Sequence, residues 1–170
     1  MSSTFSHVAL VVTALEPQAA FYQGVFGFES SGHVFEGQGR RLSVLMEVDD
    51  ATIRGLFLRT GSLHLELLEY RSAHHRRTLP LHDDEIGWAH LSFVVDDLDD
   101  VEERVVAHGG ERRATTRTDF DFGHGAATTM AFCLDPEGNR IELIQHHDRR
   151  AREDHAAFLG LSALGWPART

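Results

Sequence analysis

His7-Val8-Ala9-Leu10-Val11-Val12, followed by Leu15, returns 83 residues later as His90-Leu91-Ser92-Phe93-Val94-Val95, followed by Leu98. Both are short β-branched and aliphatic runs, the pattern of a buried strand. A second stretch repeats in the same order: Leu65-Glu66-Leu67-Leu68-Glu69 resembles Ile141-Glu142-Leu143-Ile144-Gln145. Two matched pairs in one order outrank local propensity as evidence about fold.

The residues between them fill in each half. Leu15 to Val25 predicts a helix with Pro17 near its start and Gly27 as its terminator. A strand over Phe28 to Phe35, a helical turn over residues 40 to 47, and strands over Ile53 to Arg59 and Leu63 to Tyr70 complete the first half. In the second half, Trp88 to Val95 predicts a strand and Leu98 to His108 a helix ended by Gly109-Gly110. Strands follow over Glu111 to Thr118, Thr128 to Leu134 and Asn139 to Gln145, the last after a tight turn at Asp135-Pro136-Glu137-Gly138. Each half therefore reads β-α-β-β-β, an α+β protein of two tandem modules. The expected boundaries are residues 1–70 for the first module, 71–87 for a polar linker, 88–147 for the second module, and 148–170 for a terminal helix (149–160) and tail.

Composition narrows the chemistry. With 42% apolar and 25% charged residues over 170 positions, the chain has the means for a packed core. Its 26 acidic against 16 basic residues give a net charge of −10, which excludes a phosphate-backbone binder. All the basic residues are arginine, so neither a Schiff-base lysine nor a P-loop lysine is available. Cys133 stands alone, which rules out an internal disulfide and any cysteine-rich metal cluster. The short polar start and the absence of a long apolar run give the expectation of a cytoplasmic protein without membrane or nucleic-acid partners.

Side chains alternate between the faces of a strand. His7, Ala9 and Val11 share one face of the first strand, and His90, Ser92 and Val94 the equivalent face in the repeat. His64, Glu66, Leu68 and Tyr70 share a face, as do Arg140, Glu142, Ile144 and His146. Taken singly, each histidine reads as a hydrogen-bonded core residue and each glutamate as part of a solvated face. Two carboxylates among leucines at repeat-equivalent positions, with two equivalent histidines, point instead to one shared cation on a pseudo-twofold axis. Two imidazoles and two carboxylates suit one divalent ion per site: Zn, Ni, Co, Mn or Fe. His74, His75, His82, His146, His147 and His155 lie in polar stretches and read as surface residues.

The paired modules, opened by His7 and His90 and closed by Glu66 and Glu142, resemble the vicinal oxygen chelate superfamily. That group includes glyoxalase I, methylmalonyl-CoA epimerase, extradiol dioxygenases, and fosfomycin and bleomycin resistance proteins. The resemblance spans residues 5 to 146 and is carried by SHVALVV, LEPQAAFYQGVFGFE, HLELLEY, AHLSFVVDDLDD and FCLDPEGNRIELIQ. It implies a curved half-barrel of strands around the metal with helices outside. It also implies the ligand set His7, Glu66, His90 and Glu142, as in glyoxalase I enzymes, with Glu142 or Glu66 as the catalytic base.

The activity so implied is a metal-dependent isomerase, epimerase or glyoxalase-type lyase acting on a small molecule with two vicinal oxygens or an enolisable carbonyl. The cation would lower the pKa of the neighbouring C–H and stabilise the enediolate as it forms. Two other classes stay open: an Fe(II) extradiol dioxygenase, and a non-catalytic resistance protein that sequesters a drug. A homodimer is expected, with the site inside one chain or shared between two. Phe35, Met46, Phe57, Tyr70, Phe120, Phe122 and Met130 are candidate linings, Arg40, Arg41 and Arg117 candidate anion contacts, and the loop carrying His124 a candidate lid.

Overall fold

The computed structural model describes residues 3–61, 63–71, 86–121 and 127–159. The first module runs β1 (Val8–Val12), α1 (Leu15–Phe26), β2 (Glu29–Gln38), α2 (Arg40–Met46), β3 (Thr52–Thr60) and β4 (Leu63–Tyr70). The second runs β5 (Leu91–Val95), α3 (Leu98–Ala107), β6 (Glu111–Asp121), β7 (Ala127–Leu134) and β8 (Arg140–His146), with α4 (Arg149–Phe158) after it. Among the described residues the sheets are two, ordered β1-β4-β3-β2 and β5-β8-β7-β6, and no barrel closes. In each, the outer parallel pair (β1 with β4, β5 with β8) joins two antiparallel pairs. The α+β reading and the order of elements hold.

The repeated sequence builds a repeated joint. Ala14 precedes α1 and offers no side-chain cap. Glu69 supplies one from the neighbouring strand, accepting the Leu15 N–H at 3.0 Å. In the second module Gln145 does the same for the Leu98 N–H at 3.2 Å. The fifth residue of each leucine-rich run thus satisfies a helix donor that would otherwise be orphaned. α3 adds a local cap, Asp97 accepting from the Asp100 N–H at 3.1 Å. Gly27 ends α1 in the left-handed region at φ 67°, where a side chain would be strained.

Alternation sorts the strands into two faces. Leu10, Val12, Leu56, Leu58, Leu65 and Leu67 of the first sheet and Leu91, Ala131, Cys133, Ile141 and Leu143 of the second join one core with α1 and α3. The modules meet through it: Phe26 stacks on Phe93 at 4.2 Å. A polar clasp sits beside them, where buried Asp135 accepts from Gln18 Nε2 and, at 3.0 Å, from the Tyr22 hydroxyl. Burial raises the Asp135 carboxyl and the Tyr22 phenol above their ordinary ranges.

Differences from the sequence-based boundaries have simple causes. β1 starts at Val8 rather than His7, and β5 at Leu91 rather than Trp88. In both, the parallel partner sets the limit, because the ladders begin at Val8 opposite Leu65 and Leu91 opposite Ile141. β2 and β6 run longer than expected. Both are edge strands with a register shift, between Ser30 and Val34 and between Arg113 and Thr118, and nearly all of their residues are exposed. Their polar composition hid strands held mainly by backbone pairing. Of the expected linker only residues 71, 86 and 87 are described, and the loop with Phe122 and His124 lies outside the described residues.

Candidate functional site

Each sheet carries one His–Glu pair on the face turned away from the shared core. In the first, His7 Nε2 lies 3.1 Å from Glu66 Oε2. In the second, His90 Nε2 lies 3.6 Å from Glu142 Oε2. Register explains the meeting. Glu66 pairs with Ala9 on one side and Phe57 on the other, and Glu142 with Ser92 and Phe132. The small residue leaves room for the histidine two positions earlier to lean over the carboxylate. The phenylalanine then meets the imidazole edge-on, Phe57 with His7 at 5.4 Å and Phe132 with His90 at 5.3 Å. Phe57 was among the expected linings. Phe132 was not, although its match to Phe57 across the repeat could have revealed it.

The two halves differ in their anchors. Ser92 Oγ donates to Glu142 Oε2 at 2.7 Å. The His7 Nδ1 lies 2.9 Å from Ser6 Oγ. Among the described residues His90 Nδ1 is buried without a hydrogen-bond partner, an unsatisfied group of the kind that active sites keep. The glutamate side chains are 13% and 20% exposed, too covered for ordinary surface carboxylates yet open enough to be reached. Imidazole with carboxylate is a donor set that divalent transition metals accept, so the residues present fit such an ion. The structure brings His7 to Glu66 and His90 to Glu142. It does not bring all four together in one chain, and among the described residues no group of three or more His, Cys, Asp or Glu side chains gathers as a metal site.

The remaining candidates sort by their contacts. Phe35 stacks on Phe57 at 5.9 Å and so backs the first half-site. Arg117 is engaged by Asp99 and Glu102 rather than open to an anion. Arg40 lines an open cleft of about 890 Å³ between β2, α2 and β3, with Glu47, Asp49 and Asp50 on its rim. His146, read from sequence as a surface residue, is instead 8% exposed. Its Nδ1 lies 2.9 Å from Thr128 Oγ1 and its Nε2 2.9 Å from His155 Nδ1. Burial, with the nearby His155, pushes its pKa down to about 4.

Comparisons with known proteins agree with this architecture. Residues 4–143 match the model of the Glyoxalase/Bleomycin resistance protein/Dioxygenase superfamily. A 2-epi-5-epi-valiolone epimerase from Actinomyces sp. is 33% identical over 141 residues, 81% of this chain and 76% of that one. A lactoylglutathione lyase from Neisseria meningitidis serogroup A is 29% identical over 152 residues, covering 89% and 95%. Among solved structures, a glyoxalase family protein from Bacillus cereus shares the fold with TM-score 0.70 at 17% identity, over 84% of this chain and 93% of that one. A fosfomycin resistance protein from Listeria monocytogenes, solved with Mn(II), shares it with TM-score 0.51 at 19% identity, over 90% and 99%. No helix among the described residues is long and apolar enough to cross a membrane. The chain belongs to the Glyoxalase/Bleomycin resistance protein/Dioxygenase superfamily, the group its paired modules resemble.

Proposed function

We propose that the protein is a divalent-metal-dependent enzyme that moves a proton next to a carbonyl, as an epimerase, isomerase or glyoxalase-type lyase. His7, Glu66, His90 and Glu142 would hold the ion. The observation that carries this reading is the duplicated His–Glu pair, each on an open sheet face beside an edge-on phenylalanine. When bound, the cation supplies Lewis-acid polarisation of a substrate oxygen.

The chain's own residues do the rest. Ser92 and His90 both approach Glu142 Oε2, so Oε1 is the oxygen left to take a proton from carbon. Glu66 offers a second carboxylate, and two bases allow removal and return from different sides, which an epimerase needs. Phe57 and Phe132 shield the carboxylates from water and strengthen their interactions with substrate. The named relatives, an epimerase and a lactoylglutathione lyase, support a small-molecule substrate.

Because the two pairs face away from one core, a complete set calls for a second copy: His7 and Glu66 of one chain with His90 and Glu142 of another. A homodimer is therefore part of the proposal. Its test is metal content by mass spectrometry for wild type, His7→Ala, His90→Ala and a refolded mixture of the two variants. Each variant alone loses the ion. In the mixture, half the dimers are mixed and each has one intact site, so binding returns to about a quarter of wild type in a twofold assembly. Metal-free wild-type protein after reconstitution would overturn the metal reading. Variants that fail to complement would overturn the shared site.

A further inference from the structure

Each half-site ties down a different member of its His–Glu pair. In the second, Ser92 Oγ donates to Glu142 Oε2 at 2.7 Å, while Ala9 stands at the matching register beside Glu66. In the first, Ser6 Oγ lies 2.9 Å from His7 Nδ1. The repeat puts Ala89 at the matching place before His90, whose Nδ1 is buried without a hydrogen-bond partner among the described residues. The duplicated pairs are thus anchored reciprocally, by the imidazole in one half and by the carboxylate in the other.

The Ser6 contact bears on which His7 nitrogen is offered to a ligand. A neutral imidazole has one N–H and one lone pair, whereas a serine hydroxyl both donates and accepts as it rotates. His7 Nε2 faces Glu66 Oε2 at 3.1 Å. An ionised carboxylate only accepts, so that contact is a hydrogen bond when Nε2 carries the proton, and Nδ1 then accepts from the Ser6 hydroxyl. For Nε2 to turn its lone pair to a cation, the ring proton has to sit on Nδ1, where Ser6 Oγ can accept it. One hydroxyl serves both states and keeps Nδ1 engaged in each.

We propose that Ser6 is the positioning residue of His7: it holds Nδ1, fixes the ring over Glu66 and reserves Nε2 for the metal. This deepens the metal-site reading and rests on it for its consequence. A partner on the second nitrogen of a ligating histidine sets its tautomer and ring orientation, and loss of such a partner costs about 10- to 100-fold in metal affinity.

Two measurements test it. In metal-free protein, nitrogen-15 NMR of the histidine rings should show His7 as the Nε2–H tautomer. Ser6→Ala should lower the share of that tautomer, and Ser6→Thr, which keeps a hydroxyl, should preserve it. Calorimetry with Zn(II) alone should show at least about tenfold weaker binding in Ser6→Ala, with recovery in Ser6→Thr. Thermal melts check that the variants fold. A tautomer share indifferent to Ser6→Ala, wild-type zinc affinity in Ser6→Ala, or no recovery in Ser6→Thr overturns the proposal. If wild-type protein binds no zinc, the metal reading fails by itself, and the metal-free tautomer measurement still decides the link from Ser6 to His7.

Discussion

Ser92 Oγ donates a 2.7 Å hydrogen bond to Glu142 Oε2, whereas Ala9, at the equivalent register beside Glu66, has no hydroxyl to give. One carboxylate of the repeated pair is therefore tethered at one oxygen. Glu142→Gln keeps an oxygen for Ser92 to donate to, so the change in stability should stay below about 1 kcal/mol. The amide cannot take a proton from carbon, and exchange should fall about a hundredfold or more. Deuterium uptake from D2O, followed by proton NMR on 2-hydroxy ketones, acyl-CoA thioesters and thiohemiacetals, measures it. Exchange equal to wild type would remove Glu142 from the base role.

His146 makes stability depend on pH. Its folded pKa, about 4, lies below the ordinary histidine value of 6.5. Above 6.5 both states are neutral at this position and nothing is lost. As pH falls from 6.5 towards 4, the unfolded chain binds the proton first, so stability declines across that window. The loss from this residue should be about 2 kcal/mol between pH 7 and pH 4.5. Urea denaturation at the two pH values should show that difference in wild type and a smaller one in His146→Phe.

Asp135 holds the modules together as much as the turn it begins. It accepts from Gln18, Tyr22 and Asn139 side chains and from the Glu137 and Asn139 backbone N–H groups. Asp135→Ala leaves several buried donors without an acceptor and should cost about 3 kcal/mol or more. Chemical denaturation measures it. A cost under 1 kcal/mol would mean that water replaces the carboxylate.

Gly55 sits under Phe35. A Cβ there would clash with the Phe35 ring, and Phe35 in turn stacks on Phe57 beside His7. Gly55→Ala should therefore destabilise by about 1–3 kcal/mol through overpacking and push Phe35 off Phe57. The double variant Gly55→Ala with Phe35→Leu should recover part of the loss. Tm and metal affinity report the two consequences separately.

Element order was legible because its signals are local. The helical turn expected over residues 40 to 47 is α2 (Arg40–Met46), and the strand expected over Leu63 to Tyr70 matches β4 at both ends. Edge strands were read short, since β2 and β6 bury almost no side chains and are held by backbone pairing that composition does not record. His146 was misread for a related reason. Its neighbours in sequence, His147 to Arg150, are exposed, whereas Thr128 of β7 and His155 of α4, both distant in sequence, pack against it.

By itself the chain's sequence determined the duplication and the α+β order, and it singled out His7, Glu66, His90 and Glu142 as repeat-equivalent candidates, because period-two alternation and turn chemistry are properties of a few adjacent residues. Tertiary structure alone decided that these residues form two His–Glu pairs facing away from one core, and that His155 meets His146. Those meetings depend on strand register and on how α1, α3 and α4 pack, and both are fixed by contacts between residues far apart along the chain.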